Sequence, residues 1–375
     1  MKNKKVIVVG GGFGGLQVAR KLLKHNVEVL LIDKSDHFTF TPLLVEVATG
    51  SLQPNEVSFK FRDFFKHTKL QFIQSAVHDI DVSRRVVFLT DQSVSYDYLV
   101  LATGARNRIL DLPGVHHTHR LKSVRDAVAV NKELNQKLKN RRTPFAFTII
   151  GGGPTGINFL LSAFSLAKSI NPKVKCSFRL IDAAPELLTA MSPAVRQAAY
   201  KSLQRQGVII HHNCSVSAIT ATQVQTDQGQ FKTDFTLLSA GVLPNSTMIN
   251  NDYCDSLKNV MVDDHLHLPT NKHIYALGDI ISMGRTQMPK LAQTAESQAA
   301  MVASNILASI HGQPLRTFHF RLKALLLTLG HHQVVLEIGR MVMTGWVADM
   351  ARSVIYLYRF PGLRNKLTLV KALWR

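Results

Sequence analysis

Apolar residues in this chain gather in short β-branched runs that each end in glycine, and each run is followed by a stretch with helical spacing. Val6-Ile7-Val8-Val9 leads into Gly10-Gly11-Gly12-Phe13-Gly14-Gly15, then a helical pattern over 16–24, then a second apolar run over 27–32 that closes at Asp33. The same order returns roughly 140 residues later, with Phe147-Thr148-Ile149-Ile150, then Gly151-Gly152-Gly153-Pro154-Thr155-Gly156, a helical stretch over 160–169 and an apolar run over 176–181 closing at Asp182. Continuous apolar runs bounded by glycine suit strands buried on both faces of a parallel sheet. The pattern therefore predicts an α/β fold with two βαβ units. Their separation is too long for a solenoid, whose repeats run to roughly 20–50 residues.

Punctuation between the units predicts how they connect. Residues 96–104 read as a strand ending in a turn at Thr103-Gly104, and 106–119 carry Pro113 and Gly114, which marks a domain crossing. Residues 235–241 end the second unit in the same way at Gly241, and 271–279 start a return segment ending in Gly278-Asp279. A discontinuous first domain with the second inserted in it is expected, with boundaries at 1–110, 111–250 and 251–320. From about residue 321 the strand-glycine-helix units cease and basic residues interleave with aliphatics and aromatics, so 321–375 is expected to form a third, smaller module.

The glycine spacings carry chemistry. Gly10, Gly12 and Gly15 follow G-x-G-x-x-G, in which the first glycine permits a tight turn, the second lets backbone approach a pyrophosphate and the third lets helix pack on strand. The phosphates sit at the helix N-terminus, where free N–H groups and the dipole favour anions. Asp33, at the end of the following strand, suits the ribose hydroxyls. Gly151, Gly153, Gly156 and Asp182 repeat the arrangement. A carboxylate at Asp182 repels a 2′-phosphate and no arginine follows it directly, which favours NADH over NADPH.

Composition narrows the classes. Hydrophobic residues at 46% and charged residues at 19% exclude a disordered chain. Three scattered cysteines form neither a disulfide framework nor a zinc site, and a reducing compartment fits them. The formal charge of +20 suits nucleic acid, an anionic membrane or anionic nucleotides, but its basic residues are spread along the chain and no nucleic-acid module is visible. The apolar run at the start is too short for a secretory signal, and no run reaches eighteen apolar residues, so membrane attachment is expected to be peripheral. His116, His117 and His119, His211-His212 and His331-His332 read as exposed loop histidines, and no metal is expected.

With two nucleotide folds, the Ala102-Thr103-Gly104 turn and the Gly278-Asp279 turn in place, the chain resembles the two-domain FAD and NAD(P)H oxidoreductases. Residues 34–70 contain no cysteine, which disfavours the disulfide reductases and thiol chemistry. The segment His37-Phe-Thr-Phe-Thr-Pro-Leu-Leu-Val-Glu-Val-Ala-Thr-Gly50 is similar to the one that runs beneath the flavin in the type II NADH:quinone oxidoreductases. Leu291-Ala-Gln-Thr-Ala-Glu-Ser-Gln298 is similar to that family's quinone-site motif, with Gln293 at its first glutamine, Ser297 where the second is usual and Gln298 one residue beyond. Asn158 stands where the family usually has a glutamate near the nicotinamide. What the resemblance implies is FAD in the first fold and NADH in the second. The implied cofactor-binding residues are Gly10, Gly12, Phe13, Gly14, Gly15, Asp33, Lys34, Pro42, Thr103, Gly104, Gly151, Gly153, Pro154, Thr155, Gly156, Asp182, Gly241, Gly278, Asp279, Ala292 and Gln293. Glu46 and Gln293 are the expected catalytic residues, Glu46 taking over the role of the missing glutamate.

The tail supplies a partner. Between 346 and 359 the apolar positions 346, 347, 350, 354, 357 and 358 share one helical face, and after Pro361-Gly362 the residues Leu363, Leu367, Val370 and Trp374 share another, opposite Arg364, Lys366, Lys371 and Arg375. Two amphipathic helices with interfacial aromatics and basic residues suit an anionic bilayer. The expected protein is thus a peripheral enzyme of the respiratory chain on the cytoplasmic face of the inner (cell) membrane. It passes hydride from NADH to FAD and two electrons to menaquinone or ubiquinone without pumping ions, with a homodimer as a further expectation. A soluble reductase of a ferredoxin-like protein and a non-catalytic nucleotide sensor are the alternatives.

Overall fold

The computed structural model describes residues 3–284, 288–322, 324–330 and 333–373. His331, His332, Trp374 and Arg375 lie outside the described residues, as do the side chains of Leu363, Arg364 and Lys371. The chain divides into two compact units, the first comprising Met1–Phe38, Phe59–Arg106 and Val242–Leu322, the second Thr39–Ser58, Asn107–Gly241 and Lys323–Arg375. The cuts at 106/107 and 241/242 fall just beyond the turns at Gly104 and Gly241. Two features go beyond the sequence pattern: Thr39–Ser58 leaves the first unit for the second, and the C-terminal stretch belongs to that second unit rather than forming one of its own.

In the first unit the strands lie in the order His267–Leu268, Asn271–Ala276, Tyr98–Leu101, Lys5–Val9, Glu28–Asp33, Gln71–Gln74. Lys5–Val9 runs parallel to both of its neighbours, with Val8 opposite Leu31 on one side and Val100 on the other. Val6, Ile7 and Val8 are fully buried, as a strand covered on both faces requires. Each such side chain contributes about 1.5–3 kcal/mol through burial, so the run that carries the glycine turn is also one of the firmest parts of the core. The helices Phe13–Leu22 and Ala292–Ile310 pack against each other in this unit.

The second unit repeats the plan with four parallel strands, Ile209–His211, Cys176–Ile181, Phe145–Ile150 and Phe235–Leu238, and the helix Pro154–Ile170. Ile149 pairs with Leu180 and Leu237, the counterpart of Val8 between Leu31 and Val100. An antiparallel three-stranded sheet, Leu325–Thr328, Val334–Ile338 and Met341–Thr344, precedes the helices Trp346–Arg359 and Leu363–Leu373. Val334, Leu336 and Ala348 form its small buried core.

Candidate functional site

The two glycine turns have the same construction. In the first, Gly10 adopts a φ of +102°, where a side chain is strained, and a Cβ there would strike the Ala102 carbonyl. A Cβ on Gly15 would strike the Gly10 carbonyl. The fold itself therefore demands glycine at both positions. Gly12 is different: its φ is −69° and, among the described residues, no atom lies within 4 Å of where its Cβ would stand. Nothing among the described residues requires glycine there, whereas close approach of a ligand does. The helix behind it starts without a side-chain cap and without an acid in its first turn, so its leading N–H groups and the positive end of its dipole face an anion's position.

In the second turn Gly151 has φ +105° with a Cβ that would meet the Ser239 carbonyl, and Gly156 backs onto the Gly151 carbonyl. Gly153 again has an ordinary φ, −80°, and open space beyond it. Pro154 occupies the first turn of the helix, where its missing N–H costs nothing, and Thr155 follows it, exposed. A diphosphate fits both cradles by shape and by charge.

Each cradle is tied to its acid. Asp33 accepts the Gly11 N–H at 2.6 Å on one carboxylate oxygen and the Ser35 N–H at 2.8 Å on the other. Asp182 accepts the Gly152 and Ala184 N–H groups in the same manner. A carboxylate oxygen has a second lone-pair direction, so both acids can still take ribose hydroxyls. Burial pushes the Asp33 carboxyl up, and the Gly11 and Ser35 N–H groups oppose it. Lys34 beside it is exposed, and Phe13 packs edge-on against Phe38 at 5.3 Å.

Around the first cradle, Thr103 donates to the Asn245 carbonyl at 2.7 Å, and Gly104, at φ +64°, accepts the Asn245 N–H at 2.9 Å. Gly278, at φ +81°, opens a short turn over Gly278–Ile280 that carries Asp279. Gly14, expected among the cofactor contacts, is buried with Leu277 and Ala295 in the space a Cβ would take, which gives it a packing role. Ala292 and Gln293 begin the helix Ala292–Ile310, Gln293 buried within it. In the second unit Gly241, at φ +86°, is exposed.

Pro42 and Glu46 belong to the second unit, Pro42 in the short helix Thr41–Leu43 and Glu46 in Leu44–Ala48. Sequence spacing missed what Glu46 meets. Arg352, on the inward face of Trp346–Arg359, reaches Glu46 at 3.3 Å and Asp349 at 2.7 Å, and all three side chains are largely buried. Among the described residues no hydrogen-bond partner faces the second Glu46 oxygen, Oε2. Burial raises the Glu46 carboxyl, Arg352 opposes that rise and Asp349 adds to it. Burial, with Glu46 second, pushes the Tyr356 phenol up to about 12. Arg352 lies off the apolar stripe of its helix, and the two buried acids offset the cost of burying its charge.

Asn158 is also built in. Its Oδ1 accepts the Gly330 N–H at 3.1 Å and the Ser162 hydroxyl at 3.3 Å, tying the helix Pro154–Ile170 to the end of the strand Leu325–Thr328. The histidines depart in part from expectation. His116 and His117 are exposed, but His119 stacks on Phe235 at 4.7 Å and pairs with Glu133 at 3.0 Å, and His211 and His212 are half-buried against Phe231 and Tyr200. Among the described residues no group of three potential ligands could hold a metal, and the three cysteines are unpaired.

Two dinucleotide cradles with paired acids define a pyridine-nucleotide oxidoreductase fold. The sequence profile of the pyridine nucleotide-disulphide oxidoreductases matches residues 4–299, and the chain belongs to that family, whose members bind FAD. It is 29% identical to a demethylphylloquinone reductase, NdbB, of Synechocystis sp., across 97% of this chain and 94% of that one. It is 26% identical to the type II NADH:quinone oxidoreductase NdhA of Mycobacterium tuberculosis, across 98% and 86% of the two chains. Among solved structures, NDH2 from Plasmodium falciparum in complex with NADH superposes with a TM-score of 0.86 at 18% identity, covering 100% of this chain and 98% of that one, a likeness of fold.

Proposed function

We propose that the chain is an FAD-dependent NADH:quinone oxidoreductase that works at a membrane surface and moves no ions across it. One observation carries the reading: two cradles whose middle glycines, Gly12 and Gly153, face space that no atom of the described residues fills within 4 Å, each with an acid tied to the adjacent turn. The relatives named for NADH and quinone match along nearly the whole chain and supply the substrate classes. The first cradle is assigned to FAD, because the Gly278-Asp279 turn belongs to the same unit and Leu277 packs on Gly14 there; the second is assigned to NADH. When bound, FAD supplies the two-electron carrier between nicotinamide and acceptor.

The chain's own residues bind and orient. The N–H groups opening each helix hold a diphosphate, Asp33 and Asp182 fix the two riboses, and the Asp182 carboxylate selects against a 2′-phosphate. Fixing the hydride donor turns an encounter into a nearly unimolecular step, which is the protein's main contribution to rate. Overall, NADH, a proton and a quinone give NAD+ and a quinol, so one proton per turnover comes from solvent. Glu46 is assigned to hold it. Two carboxylates share the single Arg352 guanidinium, Asp349 has the shorter contact, and burial favours the neutral form of Glu46, whose Oε2 is left to pass a proton on. Gln293 is assigned to the acceptor side. Menaquinone or ubiquinone is the quinone expected.

The membrane assignment rests on the helix Trp346–Arg359. Its outward face exposes Trp346 at 74%, Val354 at 65% and Tyr358 at 84%, while the inward face buries Ala348 and Tyr356 together with Arg352 and Ser353, so an apolar stripe is left on the exposed side. No helix among the described residues is long and apolar enough to cross a membrane, so this face would lie in the interface of the cytoplasmic side of the cell membrane. The test is sedimentation with anionic vesicles of wild type and the triple variant Trp346→Ser, Val354→Ser, Tyr358→Ser, beside turnover of NADH with a soluble quinone analogue. The variant should stay in the supernatant and still turn over. Unchanged sedimentation, with loss of a dimer instead, would assign the face to a second copy and end the membrane reading.

A further inference from the structure

The residue one beyond the quinone-motif position has a different job in this chain. Gln298 is fully buried, its Oε1 accepts the Gly278 N–H at 2.7 Å and its Nε2 reaches the Met288 sulfur at 3.5 Å. Both ends of the amide thus meet groups of the first unit, and the side chain is wholly buried there. Ser297, at the position where a second glutamine is usual, is exposed and turns its hydroxyl back onto the Gln293 carbonyl at 2.9 Å. The turn that Gln298 grips belongs to the first cradle's surroundings: Gly278 holds φ +81°, which glycine adopts readily, Asp279 follows directly, and Leu277 before it fills the space beside Gly14. Ala295, one helical turn earlier than Gln298, touches both Gly14 and Gly278 positions, so the helix Ala292–Ile310 clamps the turn to the cradle.

We propose that Gln298 is a positioning residue for the first nucleotide seat, fixing the Gly278-Asp279 turn against the glycine cradle, and not an acceptor-site amide. The proposal rests on the assignment of that seat to FAD. Its consequence is that the acceptor side of this chain draws one side-chain amide from the start of the helix, Gln293, rather than two.

The test measures FAD affinity of the purified holoenzyme and of apoprotein refilled with FAD, for wild type, Gln298→Met and Gln298→Glu. Met has the same reach and, in its thioether, only a weak acceptor for the Gly278 N–H; leaving such a buried donor poorly met costs about 1–3 kcal/mol, which is about 5- to 150-fold in retained FAD where seating FAD must re-form the turn. Glu keeps an acceptor oxygen at that reach and should hold FAD far better than Met. If Gln298→Met does not fold, Gln298→Asn, one methylene too short, replaces it with the same expected loss. Wild-type FAD affinity in Gln298→Met with a raised KM for a soluble quinone would overturn the proposal, as would equal FAD loss in the Met and Glu variants. A wild type that takes up no FAD at all would count against the function instead.

Discussion

Gly12 offers a perturbation that separates what the fold needs from what a ligand needs. Gly12→Ala adds a Cβ to a residue whose φ of −69° suits alanine and which meets nothing within 4 Å. Alanine is a poorer helix N-cap than glycine by up to about 1 kcal/mol, while restricting the unfolded chain returns about 0.4–1 kcal/mol. The apoprotein should therefore melt within about 1 kcal/mol of wild type. With a diphosphate in the cradle the same methyl is overpacked, at about 1–3 kcal/mol, so FAD should bind about 5- to 150-fold more weakly. Gly153→Ala should act alike on NADH and leave FAD untouched. Gly15→Ala is the contrast, because its Cβ would meet the Gly10 carbonyl and must disturb the apoprotein itself. The assay is chemical denaturation of the apoproteins beside FAD and NADH titrations by flavin and nicotinamide fluorescence. A Gly12→Ala protein that binds FAD like wild type, or one that loses stability as Gly15→Ala does, refutes the reasoning.

The remaining expectations concern the charge cluster and nucleotide choice. Arg352→Met leaves two buried acids without their cation and should cost about 3–5 kcal/mol, partly recovered by adding Glu46→Gln; a loss below about 1 kcal/mol in urea unfolding would contradict a true buried pair. Because Glu46 is raised in the folded state, its contribution to stability is full below the ordinary carboxylate range and is lost as pH rises through the raised value. Glu46→Gln should remove that decline above the ordinary carboxylate range and slow quinone reduction more than NADH oxidation by the flavin; parallel stability profiles for variant and wild type would sink the assignment. Asp182→Ala combined with Ala183→Arg should shift kcat/KM toward NADPH by at least about tenfold, and an unchanged NADH preference would show that the ribose acid does not choose.

How much of this was legible in the sequence depends on how local the physics is. Gly10, Gly12, Gly15 and Asp33, and their counterparts in the second unit, are set by a turn, a helix start and a neighbouring strand, all within about thirty residues, so spacing was enough. The domain crossings expected at 110/111 and 250/251 rest on the same kind of local punctuation, whereas the compact units divide at 106/107 and 241/242. Gly14 was not, because its demand comes from Leu277 and Ala295, which no short-range rule brings near. Thr39–Ser58 was not, because its company in the second unit is a matter of tertiary contact. The apolar stripe over 346–358 leaves Asp349 and Arg352 off it, but helical pattern cannot show that their face is buried, because the acid Arg352 meets, Glu46, is 306 residues away. Gln298 turns inward while Ser297 does not, since one residue along a helix is a rotation of about 100°, and only the packing of that helix on the first unit decides which of the two faces the core.

The central claim is tested most directly by anaerobic titration of the purified protein with NADH, followed by addition of a soluble quinone analogue. One equivalent of NADH should bleach the visible flavin band, and the quinone should restore it without oxygen. A yellow protein whose band NADH leaves intact, or a reduced one that quinone cannot reoxidise, would contradict the account.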